Sequence, residues 1–451
     1  TMGESSAKKM RGDGMEDVYL GGATDQPAVI FIQTNAGFTP YQPDVFLEHR
    51  IYEDVDAAWA DVDGDGDLDL YVVSGGNQFQ KGDPHLRDRL YINDSGTFSR
   101  QSCVVMKEAS NGSVIAFNDL TGDGLPEAFI GVRSVPGAYG KFDASYLLSN
   151  TEGKLVKDGD FQVSGMVTDA VWFDKDGDND KDLAVVGDWM PVTLLENDKG
   201  KLTGQVIELP GTSGWWRCVE AADLDGDGKM DLIAGNVGQN MKVQASSEKP
   251  VKLFLNDIDG NGQPDPIMFY WKGEENIPFA SKDEIDKQVP PFRKLFVTYE
   301  AYAAEKDLPG VIEEMSPEGG VWRNVETFAS VWIKNEGGKR FKINELPGAS
   351  QWSAVQDIYV GEKSSNAEVP VILGGNSYAM NIGLGRLDAM PGLVMSYGEG
   401  GSFKVIRDFL QEGITGDIRA VEGIRIGNEN HVIMARNNDK IIILKISNNN
   451  Q

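Results

Sequence analysis

The stretch DVDGDGDLDLYVVSGG, Asp61 to Gly76, sets five aspartates on alternate positions and runs without a break into apolar, β-branched sequence. Its glycines permit a sharp turn. Side-chain oxygens at the first, third and fifth positions, a main-chain carbonyl at the seventh and a carboxylate at the ninth can surround a hard cation, which takes about six to eight oxygens. Without a cation the ionised carboxylates would repel one another. The apolar run that follows reads as a strand. The stretch therefore predicts a cation-holding turn at the mouth of a β-strand, structural rather than catalytic in character.

The same stretch recurs. Close copies are DLTGDGLPE from Asp119, DKDGDNDKD from Asp174, DLDGDGKMD from Asp223 and DIDGNGQPD from Asp257. Eroded copies are KMRGDGMED from Lys9, DIYVGEKSS from Asp357 and GIRIGNENH from Gly423, and the three are expected to be metal-free turns. Each is followed by a short apolar run such as DLAVVGDW or DLIAGNVG. At most repeats a second run then closes on a polar turn, as in RLYINDSGTF, YLLSNTEGKL, TLLENDKGKL and SVWIKNEGGKRF. Short strands joined by Asn- and Gly-containing turns are antiparallel hairpins, and four strands per unit of about fifty residues make one propeller blade. The expected fold is all-β: a single β-propeller over residues 1–451, with seven blades preferred and eight as the alternative. Seven follows if the loops at Asp223 and Asp257 share one expanded blade, eight if they do not.

A helical insertion is expected at residues 273–325. There SKDE at 281–284 has the form of a capping box, and Phe292, Phe296, Tyr299 and Tyr302 fall on one helical face, to pack on the propeller or to serve as a lid. The segment before Met15 is expected to add an outer or closing strand to the last blade, because KIIILKIS leaves that unit one strand short.

Composition narrows the partners. A formal charge of −28, from 70 acidic and 42 basic residues, opposes nucleic-acid phosphate and anionic membrane surfaces. No apolar run approaches the roughly 18 to 20 residues of a membrane span. Cys103 and Cys218 form no CxxC arrangement, so neither a zinc site nor a disulfide framework is indicated. An EF-hand would place Glu at the twelfth loop position, where Val72, Val185 and Ala234 stand inside apparent strands. Arg11-Gly12-Asp13 spells RGD within an eroded loop and is read as coincidence.

The aspartate loops with their following strands resemble the FG-GAP/VCBS repeats of integrin-like β-propellers over nearly the whole chain. The segments WWRCVEAADLDGDGKMDLIAGNVGQN and ETFASVWIKN are similar to bacterial exported repeat proteins that often carry an ASPIC/UnbV region, although no separate ASPIC/UnbV segment is visible here. The resemblance implies four to five structural Ca²⁺ ions, a place outside the cytoplasm, and a binding or assembly role toward a glycan or protein. It implies as ligands Asp61, Asp63, Asp65, Asp67 and Asp69; Asp174, Asp176, Asp178, Asp180 and Asp182; Asp223, Asp225, Asp227, Lys229 and Asp231; and Asp257, Asp259, Asn261, Gln263 and Asp265. The loop of Asp119, Thr121, Asp123, Leu125 and Glu127 departs at its third and ninth positions. Residues at the seventh position would act through their carbonyls.

Catalysis has less support. His49, His85 and His431 are far apart in sequence, and no nucleophile elbow, P-loop or GxGxxG after a strand occurs. The rival reading is a carbohydrate-active enzyme, a polysaccharide lyase on the same propeller, and the chain leans toward a noncatalytic module. Trp59 and Trp172 stand two residues before their loops, as Phe117 does, and are expected in the core. Trp215 and Trp216, in an apparent inter-blade loop, are the expected ligand-facing pair.

Overall fold

A computed structural model describes residues 5–8, 10, 13–101, 109–316, 319–363, 368–398 and 400–446. The hairpin pattern becomes a series of antiparallel sheets in which sequence neighbours are spatial neighbours. The second sheet is representative: Asp54–Ala60, Asp69–Ser74, Arg89–Asp94 and Thr97–Gln101 pair in that order. Their burial grades outward. Every residue of Asp69–Ser74 is buried, whereas Thr97–Gln101 is mostly exposed. The second strand of a sheet is covered on both faces by adjacent sheets, which is why it reads as a continuous apolar run rather than an alternation.

The first strands of seven sheets are Ser5–Lys8, Asp54–Ala60, Gly112–Asn118, Met166–Phe173, Cys218–Ala222, Val355–Val360 and Ile418–Ile426. Each lies against the next, and the last lies against the first, so the strands form a closed ring. Apolar layers fill the space between sheets. Val114, Phe129 and Leu147 of the third meet Val167, Leu183 and Val185 of the fourth. Phe173, Ala184 and Val186 of the fourth meet Val219, Leu232 and Ile333 of the fifth. This is a β-propeller, the all-β fold the repeat predicts.

Closure differs from expectation. Ser5–Lys8 pairs with Asp17–Leu20 and is the innermost strand of the first sheet, not an outer strand of the last. The last sheet has three strands among the described residues, Ile418–Ile426, Glu429–Arg436 and Ile442–Lys445. The first and last sheets meet at the seam through the first loop and a third strand: Arg425 N donates to Glu16 Oε2 at 2.6 Å, and Gln33 Nε2, on Val29–Thr34, donates to Arg425 O at 3.0 Å, over a core of Val18, Ile424 and Ile433.

The excursion from the fifth sheet is also larger than the 273–325 expected. It leaves after Asp231–Gly235 and builds its own antiparallel sheet from Val251–Asn256, Asp265–Lys272, Glu275–Pro278 and Val321–Val325, before the ring resumes at Val331–Asn335. The loop at Asp257 belongs to this inserted sheet, which accounts for its odd spacing. The capping box forms, Ser281 and Glu284 satisfying each other's main-chain N–H groups. The aromatic stripe does not lie on one helix. Pro290 and Pro291 precede a short helix, Phe292–Leu295, and a second runs over Tyr299–Ala304. Phe292 and Phe296 are buried against Phe254, Ile267 and Phe269 of the inserted sheet, while Tyr299 is exposed.

Candidate metal centres

Each close copy of the repeat lies between a first and a second strand, or in the corresponding hairpin of the inserted sheet. The first aspartate closes the turn: Asp61 accepts from Gly64 N at 2.8 Å and Gly66 N at 3.0 Å, and Asp174 accepts from Gly177 N at 2.7 Å and Asn179 N at 3.1 Å. Gly64 and Gly66 have φ of +77° and +96°, which explains the glycines. Asn179, which replaces glycine in one copy, adopts φ +72°, a conformation asparagine tolerates. At the ninth position the carboxylate spans two strands. Asp69 accepts from Val62 N at 2.9 Å across the turn and from Asn93 N at 2.9 Å on the third strand.

Among the described residues, four carboxylate groups converge: Asp61, Asp63 and Asp69; Asp174, Asp176 and Asp178; Asp223, Asp225 and Asp227; and Asp257, Asp259 and Asp265, each offering oxygens within 4.8 Å of one another. The copy at Asp119 keeps the turn, with Gly122 N and Gly124 N donating to its first aspartate and Leu120 N donating to Glu127. It is not among the converging carboxylate groups, since Thr121 stands at its third position. Two seventh-position aspartates turn away to the neighbouring hairpin, Asp67 Oδ2 accepting from Ser95 N at 2.8 Å and Asp180 Oδ2 from Lys199 N at 2.6 Å, whereas Lys229 Nζ turns back to Asp227 Oδ2 at 3.0 Å.

Electrostatics fit a hard cation. Burial pushes Asp69 and Asp231 up to about 6, and it also raises Asp182 and Asp265. Desolvated carboxylates are costly to ionise unless a positive charge stands near. An all-oxygen donor set suits Ca²⁺, which when bound would hold the turn against the strand it opens. Lysines already reach two of the loops. Lys175 Nζ lies 3.2 Å from Asp176 and 3.5 Å from Asp182, and Lys334 Nζ contacts Asp225.

Two eroded copies change on inspection. Asp357 is not in a loop; it sits within Val355–Val360, where the pairing register shifts. The loop that follows that strand therefore begins at 361, and Lys363 occupies its third position. The copy at Gly423 is a strand, with a two-residue turn between Ile426 and Glu429. In the first copy, Lys9, Arg11 and Gly12 lie outside the described residues, and the RGD reading with them. Asp17 is retained there, fully buried, with Gln33 N donating to it at 2.8 Å.

Two residue sets escaped the sequence reading. Asp56, Asp169 and Asp357 each stand at a register shift in a first strand. Each accepts a main-chain N–H from the next sheet's first strand: Ile115, Val219 and Val421 respectively. They tie sheets two to three, four to five and six to seven. The second set consists of asparagines on third strands. Asn93 donates to Met10 O, Asn150 to Val62 O and Asn335 to Lys175 O, in every case the second residue of the preceding sheet's loop. The recurring Asn in YIND, LLSNT and WIKNE was the available signal.

Trp59 and Trp172 are buried as expected. Trp215 and Trp216 do not face a ligand. Trp216 is 0% exposed, with Nε1 donating to Thr212 O at 2.8 Å, and Trp215 packs between Trp189 and Phe328. Their segment pairs with the second strand of the fourth sheet, which draws both rings inside. His49 and His85 both pack edge-on against Tyr52, with ring centroids 5.6 Å and 5.3 Å from it, and His431 lies on the last sheet. His49 contacts Tyr91 Oη and Arg100, with burial first and then Arg100 lowering it to about 4; His85 pairs with Asp83; His431 meets Glu429 O.

Comparison with known proteins agrees with the repeat. The FG-GAP-like repeat family matches residues 10–72 and 174–234. The chain is a β-propeller carrying FG-GAP-like repeats; an ASPIC/UnbV association is not part of that match. Comparison with curated proteins gives no match. Among solved structures, the V. cholerae biofilm matrix protein Bap1 is 13% identical at a TM-score of 0.40, covering 99% of this chain and 88% of its own. YCF48 from Cyanidioschyzon merolae is 8% identical at a TM-score of 0.45, covering 99% and 94%. The fold assignment rests on the sheets and the repeat, not on these distant likenesses.

Proposed function

We propose that this chain is a calcium-stabilised propeller of seven blades that acts outside the cytoplasm as a noncatalytic module binding a glycan or a protein. One observation carries the reading. The aspartate loops occupy one edge of the sheets, and the connections from second to third strands, including the inserted sheet, occupy the opposite edge, where they touch one another. Lys81 pairs with Asp143 at 2.9 Å, linking the second sheet's connection to the third's. Trp189 Nε1, at the end of the fourth sheet's second strand, donates to Tyr139 Oη at 2.7 Å, linking the third sheet's connection to the fourth sheet. Lys242 Nζ reaches Gly383 O at 3.5 Å, linking the fifth to the sixth. Loops carried on a rigid scaffold and free of repeat constraints are where recognition is usually built. Among the described residues no helix is long and apolar enough to cross a membrane.

The seven-blade count is supported by the ring of seven first strands and by the Asp257 loop lying off that ring. Metal content comes first in the test: about four Ca²⁺ per chain are expected, one for each carboxylate group, with a thermal midpoint that falls on chelation and returns with Ca²⁺. Fewer than about three ions, or no response to chelation, overturns the calcium role. Panels of immobilised glycans and proteins then test binding, alongside an absorbance assay for unsaturated sugar products. Binding without turnover supports the module; turnover transfers the assignment to a lyase.

A further inference from the structure

A cleft of about 370 Å³ opens between the fifth and sixth sheets, beside the loop at Asp223. Three of its lining residues are lysines: Lys334 and Lys342 from the fifth sheet and Lys363 from the first loop of the sixth. Among the described residues, Asp225 is the one acidic residue in that lining. In a chain with 70 acidic and 42 basic residues, three lysines gathered on one cleft run against the prevailing charge, with the carboxylates of the adjoining loop, Asp223, Asp225 and Asp227, clustered at its edge.

Their placement is built into the fold. Lys363 holds the third position of a repeat loop, where intact copies have an aspartate such as Asp63 or Asp225. The ammonium lies against Gly226 of the neighbouring loop, whose absent side chain leaves it room; a Cβ there would stand 2.5 Å from Lys363 Nζ. Lys334 contacts Asp225, whereas Lys342 and Lys363 have no ion pair among the described residues. Beneath them Trp332 and Tyr397 stack edge to face, with ring centroids 5.0 Å apart, as an apolar base.

We propose that this cleft binds an acidic saccharide, its carboxylate or sulfate held by Lys334, Lys342 and Lys363 and its sugar ring resting toward Trp332 and Tyr397. The inference deepens the binding reading above and rests on it. A volume near the lower end of ligand sites suits one or two sugar units. The overall negative charge repels polyanions at long range, but that repulsion is screened beyond about 8 to 10 Å in physiological salt. At the cleft Lys342 and Lys363 are without ion pairs among the described residues, and a cation in the adjoining loop would offset Asp223, Asp225 and Asp227. A cation in the adjacent loop would compete with Lys334 for Asp225, so Ca²⁺ and the acidic sugar should bind cooperatively.

Calorimetry on the full chain tests this with four probes: an oligogalacturonate hexamer, a sulfated hexasaccharide, a neutral cellohexaose and inorganic phosphate, each with Ca²⁺ and with chelator. The expected result is binding of at least one acidic hexamer, none of cellohexaose, and tighter binding with Ca²⁺. The preferred acidic probe tells carboxylate from sulfate. The exposed double variant Lys342→Gln/Lys363→Gln should weaken binding about tenfold at an unchanged thermal midpoint, the combined worth of two partly exposed ion pairs. Equal affinity for cellohexaose, an unaffected double variant, or phosphate binding as tightly as the hexamers overturns the proposal. Should another glycan or protein bind the double variant as well as the parent, the module reading stands and the acidic-sugar cleft falls. If no glycan or protein binds at all, both fall.

Discussion

Asn335 offers a quantitative test of how the repeat loops are joined. Its side chain is fully buried at the end of the fifth sheet's third strand. Nδ2 donates to Lys175 O at 2.7 Å and to Met230 O at 3.2 Å, and Oδ1 accepts from Gly337 N at 3.0 Å and Gly338 N at 2.8 Å. Lys175 belongs to the aspartate loop of the fourth sheet, so one amide connects two loops and a hairpin. Asn335→Ala removes all four bonds and leaves main-chain groups without partners. Gly337 is exposed and regains water, which leaves three groups unsatisfied. At about 1 kcal/mol for each, the loss is about 3 kcal/mol. The asparagine's own N–H keeps its bond to Asp231 at 2.8 Å, so the ninth-position carboxylate is not disturbed directly. In urea, with a slope of about 3 kcal/mol/M or somewhat more for a chain of this size, the midpoint should fall by just under 1 M. The control is Asn344→Ala, whose exposed amide donates only to Lys342 O at 3.1 Å and should cost less than about 0.5 kcal/mol. An Asn335→Ala midpoint within about 0.2 M of the parent would refute the claim that these asparagines hold neighbouring blades together.

Further outcomes follow from the interior. Glu220 lies on the fifth sheet's first strand, and burial pushes it up to about 7 from the usual 4.5. The folded state therefore holds this proton more tightly than the unfolded chain, so the contribution to stability is full below about 4.5, is lost as pH rises through 7, and is flat above that. Glu220→Gln should be the more stable protein at pH 8, by about 2 kcal/mol after allowing for partial solvation, and should converge with the parent near pH 4; parallel melting curves across that range would contradict this. Trp216→Ala, which empties a site 0% exposed between the fourth and fifth sheets, should cost about 4 kcal/mol. It should leave the affinity for any ligand unchanged below the melting transition, and a stable variant that had lost its ligand would return Trp216 to the binding surface.

The parts of this protein legible in sequence are those built within about ten residues. In DVDGDGDLD the turn, its glycines and the carboxylates that converge on one point are neighbours along the chain, so spacing alone dictates their geometry. The hairpins were equally plain, because alternation and turn chemistry act across a few residues. The copy at Asp357 was misplaced by four residues because its loop has lost the aspartates that mark the register; only the strand pairing put Lys363 at the third position.

Tertiary structure decided the rest, where partners lie far apart in sequence. The strand at Ser5–Lys8 could have joined either end of the ring, and its antiparallel pairing with Asp17–Leu20 sets it in the first sheet. Trp215 and Trp216 lie between apparent strands and looked available, but pairing with a strand some 25 residues earlier turned them inward. Phe292 and Phe296 found a sheet, Val251–Asn256 with Asp265–Lys272, that the spacing of the aspartate loops had not separated from the ring. The lysine cleft exists because the fifth and sixth sheets are adjacent, with Lys334 and Lys363 contributed by different repeats. Turn chemistry acts between neighbours along the chain and is written there; which faces meet depends on how the whole ring closes.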